Sequence, residues 1–125
     1  MRILIVGSGY VGTAFGKAAK EKGHQIFVAS RTSEKISEYL MWADGAFLWE
    51  RKLPDAIDGV LLAVAPREKS YEETYLENAK AIKSAPYIVY TSSTSVYGDH
   101  RGKTVNELTV PRPQNPNQKI LLETE

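Results

Sequence analysis

The fold of this chain is decided by residues 2–12, which read RILIVGSGYVG. Residues 2–6 are a short, mostly apolar run, as expected for a parallel strand that is buried on both faces. Glycines at 7, 9 and 12 follow with the spacing G-x-G-x-x-G, and a helical pattern begins directly after them. This order of strand, glycine turn and helix predicts a βαβ unit that binds a dinucleotide.

Each glycine of this turn has a separate physical role in the predicted site. Gly7 lets the chain turn sharply after the strand, and Gly12 lets the helix pack closely on the sheet. Gly9 lets the backbone approach a pyrophosphate, because a Cβ atom would block that approach. The N-terminus of the helix adds unpaired N–H groups and the positive end of the helix dipole. The residues predicted to bind the cofactor here are Gly7, Ser8, Gly9, Tyr10, Val11 and Gly12.

Apolar runs alternate with helical patterns along the rest of the chain, which is typical of a doubly wound α/β fold. We predict further strands at residues 25–29, 46–49, 58–64 and 87–91. Helices are predicted over 10–22, from Thr32 or Ser33, from a capping box at 70–73, and from 117. The side chains predicted to face inward are Val11, Ala14, Phe15, Ala18 and Ala19 on the first helix, and Ile36, Tyr39 and Leu40 on the second. Right-handed crossovers then give the strand order 3-2-1-4-5 of an NAD(P)-binding Rossmann fold, in one domain over 1–125.

Composition argues against several classes of function. Sixteen basic and fifteen acidic residues leave a net charge of +1, so no global field favours nucleic acid or a membrane surface. The chain has no cysteine, which excludes disulfides and thiolate metal sites, and we predict no metal site. No apolar run is long enough to cross a bilayer, and a strand that starts at Arg2 leaves no room for a signal peptide. We therefore expect a cytoplasmic protein.

The end of the second predicted strand indicates which dinucleotide is bound. An NAD site usually has an acidic residue there to hold the ribose 2′-hydroxyl, whereas the nearest acid in this chain is Glu34. The planar guanidinium of Arg31 suits a phosphate, and Ser30 and Thr32 add hydroxyl donors. Although Arg31 has the alternative of being a solvated loop charge, these residues favour NADP over NAD. The predicted site is completed at the end of the fourth strand by Ala63, Val64 and Ala65.

Residues 89–99 read VYTSSTSVYGD, which resembles the strand-five signature of the extended short-chain dehydrogenases/reductases, the NAD(P)-dependent epimerase/dehydratase family. Further similarity follows at Glu107 and at residues 113–116, which read PQNP. In that family the hydroxyl residue three before the Val of VYG binds the substrate oxygen. The resemblance therefore implies this role for Ser93.

The resemblance breaks down at the catalytic pair. In the family a Tyr-x-x-x-Lys motif follows, in which the Tyr is the general acid/base and the Lys lowers its pKa. Aligned through Pro116, these positions hold Asn117 and Leu121, and Lys119 comes two residues early. The chain is thus most similar to the atypical branch of the family, which keeps the glycine turn and the strand-five signature but lacks the pair.

Two functions of different classes remain open from the sequence. One is an NAD(P)-binding protein that acts on a nucleotide-sugar-like or small carbonyl substrate without the Tyr–Lys pair. The other is a nonenzymatic NADP-binding module with a regulatory or redox-sensing role. The N-terminal domain of a UDP-sugar dehydrogenase is disfavoured because the second strand lacks the acid. The fifth strand is expected to be an open edge. Either a partner covers it, such as a second copy of the chain, or the chain is the N-terminal part of something longer.

Overall fold

The computed structural model describes residues 1–49, 51, 54–64, 82 and 84–125. The elements in chain order are β1 (Arg2–Val6), α1 (Tyr10–Glu21), β2 (Gln25–Ser30), α2 (Ile36–Leu40), β3 (Gly45–Leu48), β4 (Gly59–Leu62), β5 (Tyr87–Tyr90) and α3 (Pro116–Thr124). Short 3₁₀ helices lie at Ser33–Lys35 and Thr94–Tyr97. Among the described helices, none has the length and apolar character needed to cross a membrane.

The sheet has five parallel strands in the order β3-β2-β1-β4-β5, which confirms the predicted doubly wound α/β fold. The strand ends differ from the predicted ones by at most two residues. The prediction of a helix from the capping box at 70–73 lies outside the described residues, as does Ala65 of the predicted cofactor site.

Side chains of the central strands alternate between two cores, one on each face of the sheet. Ile3 and Ile5 of β1 join a cluster with Leu61 of β4 on one face. Leu4 and Val6 join the cluster on the other face. Fully burying a side chain of this size contributes roughly 1.5–3 kcal/mol relative to leaving it exposed. Because both faces are covered, a central strand reads as an unbroken apolar run.

The predicted inner face of α1 is wrong except at Ala19. The residues that α1 buries are Gly12, Gly16 and Ala19, whereas Val11 and Phe15 are 59% and 42% exposed. The reason is distance: a Cβ on Gly16 would lie 2.7 Å from Ile5 Cδ1 and from Trp42 Cζ3. The helix packs so closely on the sheet that its contact face consists of small residues. Hydrophobic periodicity identified the apolar face of α1, which is not the face that contacts the sheet. The prediction that Leu40 of α2 faces inward is also wrong, because Leu40 is 53% exposed.

The exposed apolar flank of α1 is formed by Val11, Ala14, Phe15 and Ala18. On the opposite flank Lys20 bridges to Asp44, at the start of β3, with Nζ and Oδ1 2.6 Å apart. Phe15 lies about 140° around the helix from Lys20. On the face of the sheet that carries Ile5 and Leu61, Tyr87 and Val89 of β5 are 66% and 60% exposed. They share a face with Gly59 and Leu61 through the β4–β5 register.

The described residues form two compact units, one of residues 1–64 and 82–91 and one of 92–125. The first contains the whole sheet. In the second, Val96 and Leu121 are buried, and the Arg112 N–H donates to the Val96 carbonyl at 3.0 Å. Helix α3 begins with Asn115 as its cap, because the Asn115 side chain accepts from the Gln118 N–H at 3.0 Å. The prediction of a single domain over 1–125 stays a prediction.

We expect Asp44→Asn to lower the free energy of unfolding by about 1 kcal/mol at neutral pH. Asp44 accepts from Lys20 Nζ at 2.6 Å and from the Ile26 N–H at 2.7 Å. The Lys20 ammonium and this N–H hold the pKa of the Asp44 carboxyl below its usual value. A lowered folded-state pKa stabilises the protein above the unfolded-state pKa, and this contribution is lost as pH falls through the folded-state pKa.

Urea unfolding of the original chain and Asp44→Asn, at neutral pH and at about pH 3, measures this difference. The difference between the two proteins should shrink at the lower pH. A constant difference would contradict the electrostatic explanation. Lys20→Met serves as the matched control, because it removes the ion pair and leaves the Ile26 hydrogen bond.

Candidate functional site

The predicted cofactor residues of the first unit gather at one edge of the sheet. In a parallel sheet the carboxyl ends of the strands meet at the same edge. The end of β1 lies between those of β2 and β4: the Gly7 N–H donates to the Ala29 carbonyl at 3.5 Å, and the Ala63 N–H donates to the Val6 carbonyl at 2.8 Å. The structure thus brings together the glycine turn, the residues that follow β2 and the residues that follow β4.

Gly7 and Gly12 are required by the packing of the protein itself. Gly7 has φ of +87°, and a Cβ there would overlap Val64 Cγ2 and lie 2.7 Å from the Ala63 carbonyl oxygen. A Cβ on Gly12 would overlap the Gly7 carbonyl oxygen and lie 3.0 Å from Ile5 Cγ2. Ala63 and Val64 therefore form the wall against which the turn is packed.

Gly9 is different, because no atom of the described residues occupies the space that a side chain would take there. Its φ of −71° is open to any residue. A Cβ built on Gly9 meets no atom within 4 Å in the part of the chain that the structure describes. Gly9 and the following Tyr10 are exposed, and Tyr10 is 98% accessible. The turn therefore presents bare backbone to the solvent at this point.

Helix α1 begins directly after this exposed backbone, with Gly9 as its N-cap residue. The first intrahelical hydrogen bond runs from the Thr13 N–H to the Gly9 carbonyl at 3.0 Å, so the N–H groups of Tyr10, Val11 and Gly12 precede it. No side chain caps this end, and the first turn holds no acidic residue. The first turn therefore offers no negative side chain of its own to the positive end of the helix dipole.

The Ser8 peptide is held from two sides. Its carbonyl oxygen accepts from Thr13 Oγ1 at 3.1 Å and from Tyr39 Oη at 3.3 Å. Tyr39 was expected only as a core residue, and it is buried at 4% exposure. Its hydrogen bond to the turn was missed, since no spacing in the sequence links α2 to residue 8. The Ser8 hydroxyl is buried and has no hydrogen-bond partner in the part of the chain that the structure describes.

At the end of β2, the side chain of Ser30 is hydrogen-bonded within the turn, whereas the side chains of Arg31 and Thr32 are exposed to solvent. Ser30 Oγ donates to the Thr32 carbonyl at 3.0 Å and accepts from the Thr32 N–H at 3.2 Å. The Ser30 hydroxyl is thus engaged in forming the turn. Arg31 and the side chain of Thr32 are exposed, and within the described ranges Arg31 forms no ion pair. Among these residues the guanidinium therefore has no acidic partner that a ligand would have to displace.

Ser93 lies in the second unit, where it begins the 3₁₀ helix Thr94–Tyr97. Its Oγ accepts from the Ser95 N–H at 3.2 Å, which leaves the hydroxyl proton as a donor. Ser93 is exposed. On α3, Asn117 is exposed and Leu121 is buried, so neither offers an acid/base group to solvent. Over the described stretches of chain, no group of His, Asp and Glu side chains could hold a metal ion.

Comparison with known proteins begins with sequence. No protein-family model matches the chain. Protein YeeZ from Escherichia coli (strain K12) is 28% identical to it, over 99% of this chain and 52% of YeeZ. The chain therefore spans about half the length of this curated relative.

Solved structures share the architecture. A functionally unknown conserved protein from Silicibacter pomeroyi DSS has a TM-score of 0.79 at 24% identity, over 98% of this chain and 46% of that one. A Methylobacillus flagellatus protein, provisionally described as an NAD-dependent epimerase/dehydratase, has a TM-score of 0.66 at 21% identity, over 98% of this chain and 48% of that one. At these identities the likeness shows the fold: the chain has the Rossmann-like α/β architecture of these structures.

Proposed function

We propose that this chain binds a nicotinamide dinucleotide, with the pyrophosphate against Gly9 and the N-terminus of α1. The open position at Gly9 carries the proposal. Gly7 and Gly12 are explained by contacts inside the protein, but Gly9 has an ordinary φ and free space around its Cα. A ligand that approaches the backbone this closely gives a physical reason for the missing side chain.

The charge at the turn supports an anionic ligand. The N–H groups at the start of α1 point along the helix axis, and the first turn holds no acidic side chain to compete for them. A bound nicotinamide dinucleotide would supply hydride-transfer chemistry. The residues of this chain would bind its phosphates and orient it at the carboxyl edge of the sheet, with Ala63 and Val64 beside the turn.

The proposed preference for NADP rests on Arg31. This guanidinium is exposed and has no acidic partner among the described residues. Arg31 directly follows β2, where the chain has no acidic residue to bind a ribose 2′-hydroxyl. Thr32 adds an exposed hydroxyl beside it. Ser30 contributes by shaping the turn, because its hydroxyl is bonded to the Thr32 backbone.

The proposed activity is that of the epimerase/dehydratase type, on a nucleotide-sugar-like or small carbonyl substrate. The resemblance of residues 89–99 supports it, as does the structural similarity to the Methylobacillus flagellatus protein described as an NAD-dependent epimerase/dehydratase. In this proposal Ser93 donates its hydroxyl proton to a substrate oxygen. The proposed setting is the cytoplasm.

The alternative is a nonenzymatic NADP-binding module with a regulatory or redox-sensing role. It is favoured by Asn117 and Leu121 at the positions of the Tyr–Lys pair. The two functions differ in one observable, since the module would bind the dinucleotide without turning over any substrate.

Gly9→Ala should abolish tight dinucleotide binding while leaving the fold intact. The added methyl group meets no atom of the described residues within 4 Å. The loss of glycine at the N-cap of α1 is offset by the lower conformational entropy of the unfolded variant, so we expect the free energy of unfolding to change by no more than about 0.5 kcal/mol. The dissociation constant for NADP should rise roughly tenfold or more, which corresponds to at least about 1.4 kcal/mol. Calorimetric titration and urea unfolding measure the two quantities.

Gly12→Ala is the matched control for this test. Its Cβ overlaps the Gly7 carbonyl oxygen, so we expect a loss of about 1–3 kcal/mol in unfolding free energy. If Gly9→Ala bound NADP as tightly as the original chain, the placement of the pyrophosphate would be refuted.

Arg31→Ala should weaken NADP binding by about tenfold to a hundredfold and leave NAD binding unchanged, because only NADP carries the 2′-phosphate. Titration of both dinucleotides into the variant measures the effect. Lys35→Ala removes an exposed positive charge from the neighbouring 3₁₀ helix and is the control for general charge loss. Equal weakening of NAD and NADP by Arg31→Ala would contradict the proposed contact.

We also propose that a second copy of the chain covers the β5 edge. β5 is the last strand of the sheet in the described part of the chain, and Tyr87, Ile88 and Val89 are 66%, 45% and 60% exposed. An exposed apolar edge strand offers unpaired backbone groups to another strand.

Val89→Lys should shift the chain from dimer to monomer in sedimentation equilibrium, since a lysine on an edge strand opposes pairing. Leu40→Lys, on the exposed side of α2, is the control and should leave the association unchanged. A chain that is monomeric at every concentration would overturn the proposal.

A further inference from the structure

We infer that Tyr39 is a positioning residue for the dinucleotide, acting with Thr13 through the Ser8 carbonyl. This inference rests on the proposed function. Tyr39 lies on α2, and its ring is buried in the core between the sheet and the helices. Its hydroxyl reaches out of this core to the glycine turn, where it donates to the Ser8 carbonyl oxygen at 3.3 Å.

The Ser8 carbonyl accepts two hydroxyl protons from different elements. Thr13 Oγ1 approaches from the first turn of α1, at 3.1 Å, and Tyr39 Oη approaches from α2. A carbonyl oxygen has two lone pairs, so both can be satisfied together. Rotation of this peptide would break both hydrogen bonds. The orientation of the peptide is therefore fixed by side chains as well as by the backbone.

The fixed carbonyl determines where the next N–H points. The peptide that joins Ser8 to Gly9 is planar and trans, so its C=O and N–H point in opposite directions. Because the carbonyl points toward Thr13 and Tyr39, the Gly9 N–H points away from them. It lies at the residue where the backbone is bare and exposed. If the peptide turned over, a carbonyl oxygen would face the proposed phosphate and repel it.

The packing of Tyr39 does not itself require a hydroxyl. The aromatic ring is 4% exposed and makes an edge contact with Trp42, with ring centroids 6.3 Å apart. A phenylalanine ring would fill the same space. A buried hydroxyl is favourable only where it has a hydrogen-bond partner, and the partner here is the glycine turn. Tyr39→Phe therefore removes the contact with the turn while it keeps the core.

The test combines dinucleotide titration with carbonyl and amide NMR on Tyr39→Phe. In the ligand-free protein, the variant should shift the Ser8 carbonyl ¹³C and Gly9 amide ¹⁵N resonances. Its dissociation constants for NADP and for NAD should rise by the same factor, roughly three- to tenfold for one lost hydrogen bond. Equal weakening is expected because the two dinucleotides share the pyrophosphate, whereas Arg31→Ala discriminates between them.

Matched variants separate positioning from general loss of stability. Tyr87→Phe removes an exposed hydroxyl from β5 in the same unit and should bind both dinucleotides as the original chain does. Thr13→Ser keeps the second hydroxyl and should also bind normally, while Thr13→Val should weaken NADP and NAD equally. A rise in the dissociation constant for Tyr39→Phe that tracked only its melting temperature would overturn the positioning role.

The outcomes distinguish this inference from the proposed function. If the original chain binds neither dinucleotide, the proposed function fails and the inference fails with it. If the original chain binds NADP, and Tyr39→Phe binds it equally tightly although its Gly9 amide resonance has moved, the cofactor site stands and the positioning role of Tyr39 is refuted.

Discussion

The close approach of α1 to β1 is the constraint on which the rest of the structure depends. At Gly12 and Gly16 the helix lies so near the strand that a single added carbon would meet Ile5. This approach places the start of α1 directly at the end of β1. It also brings Thr13 within hydrogen-bond distance of the Ser8 carbonyl. The turn, its exposed backbone and the end of the helix dipole all follow from the same contact.

Most of the fold was predictable because its signals are local and mutually consistent. The buried strand at residues 2–6, the glycine spacing and the handedness of crossovers together restrict the strand order to the one observed. The inner face of α1 was not predictable in the same way. Hydrophobic periodicity indicates which residues are apolar, but contact at this distance is decided by size. Only Ala19 satisfies both criteria.

The candidate site divides along a similar line. The spacing of Gly7, Gly9 and Gly12 was readable in the sequence, but their separate roles became visible only from the atoms around each Cα. Contacts between distant elements left no trace in the sequence. Tyr39 is one of several apolar residues on a short helix, and Ser30 is one of several hydroxyls after β2. The tertiary structure determines that Tyr39 donates to the glycine turn and that Ser30 donates to the Thr32 carbonyl.

The free space around Gly9 has a consequence for the history of this chain. A substitution at Gly7 or Gly12 harms folding, so selection for a folded protein alone preserves both. A side chain at Gly9 meets no such clash with the described residues, so under the proposed function it is chiefly selection for the ligand that retains this glycine. Descendants that no longer bind this proposed ligand should therefore lose the middle glycine first and keep the outer two. The residue at position 9 then indicates whether a homologue still binds the ligand at the turn, independently of whether it still folds.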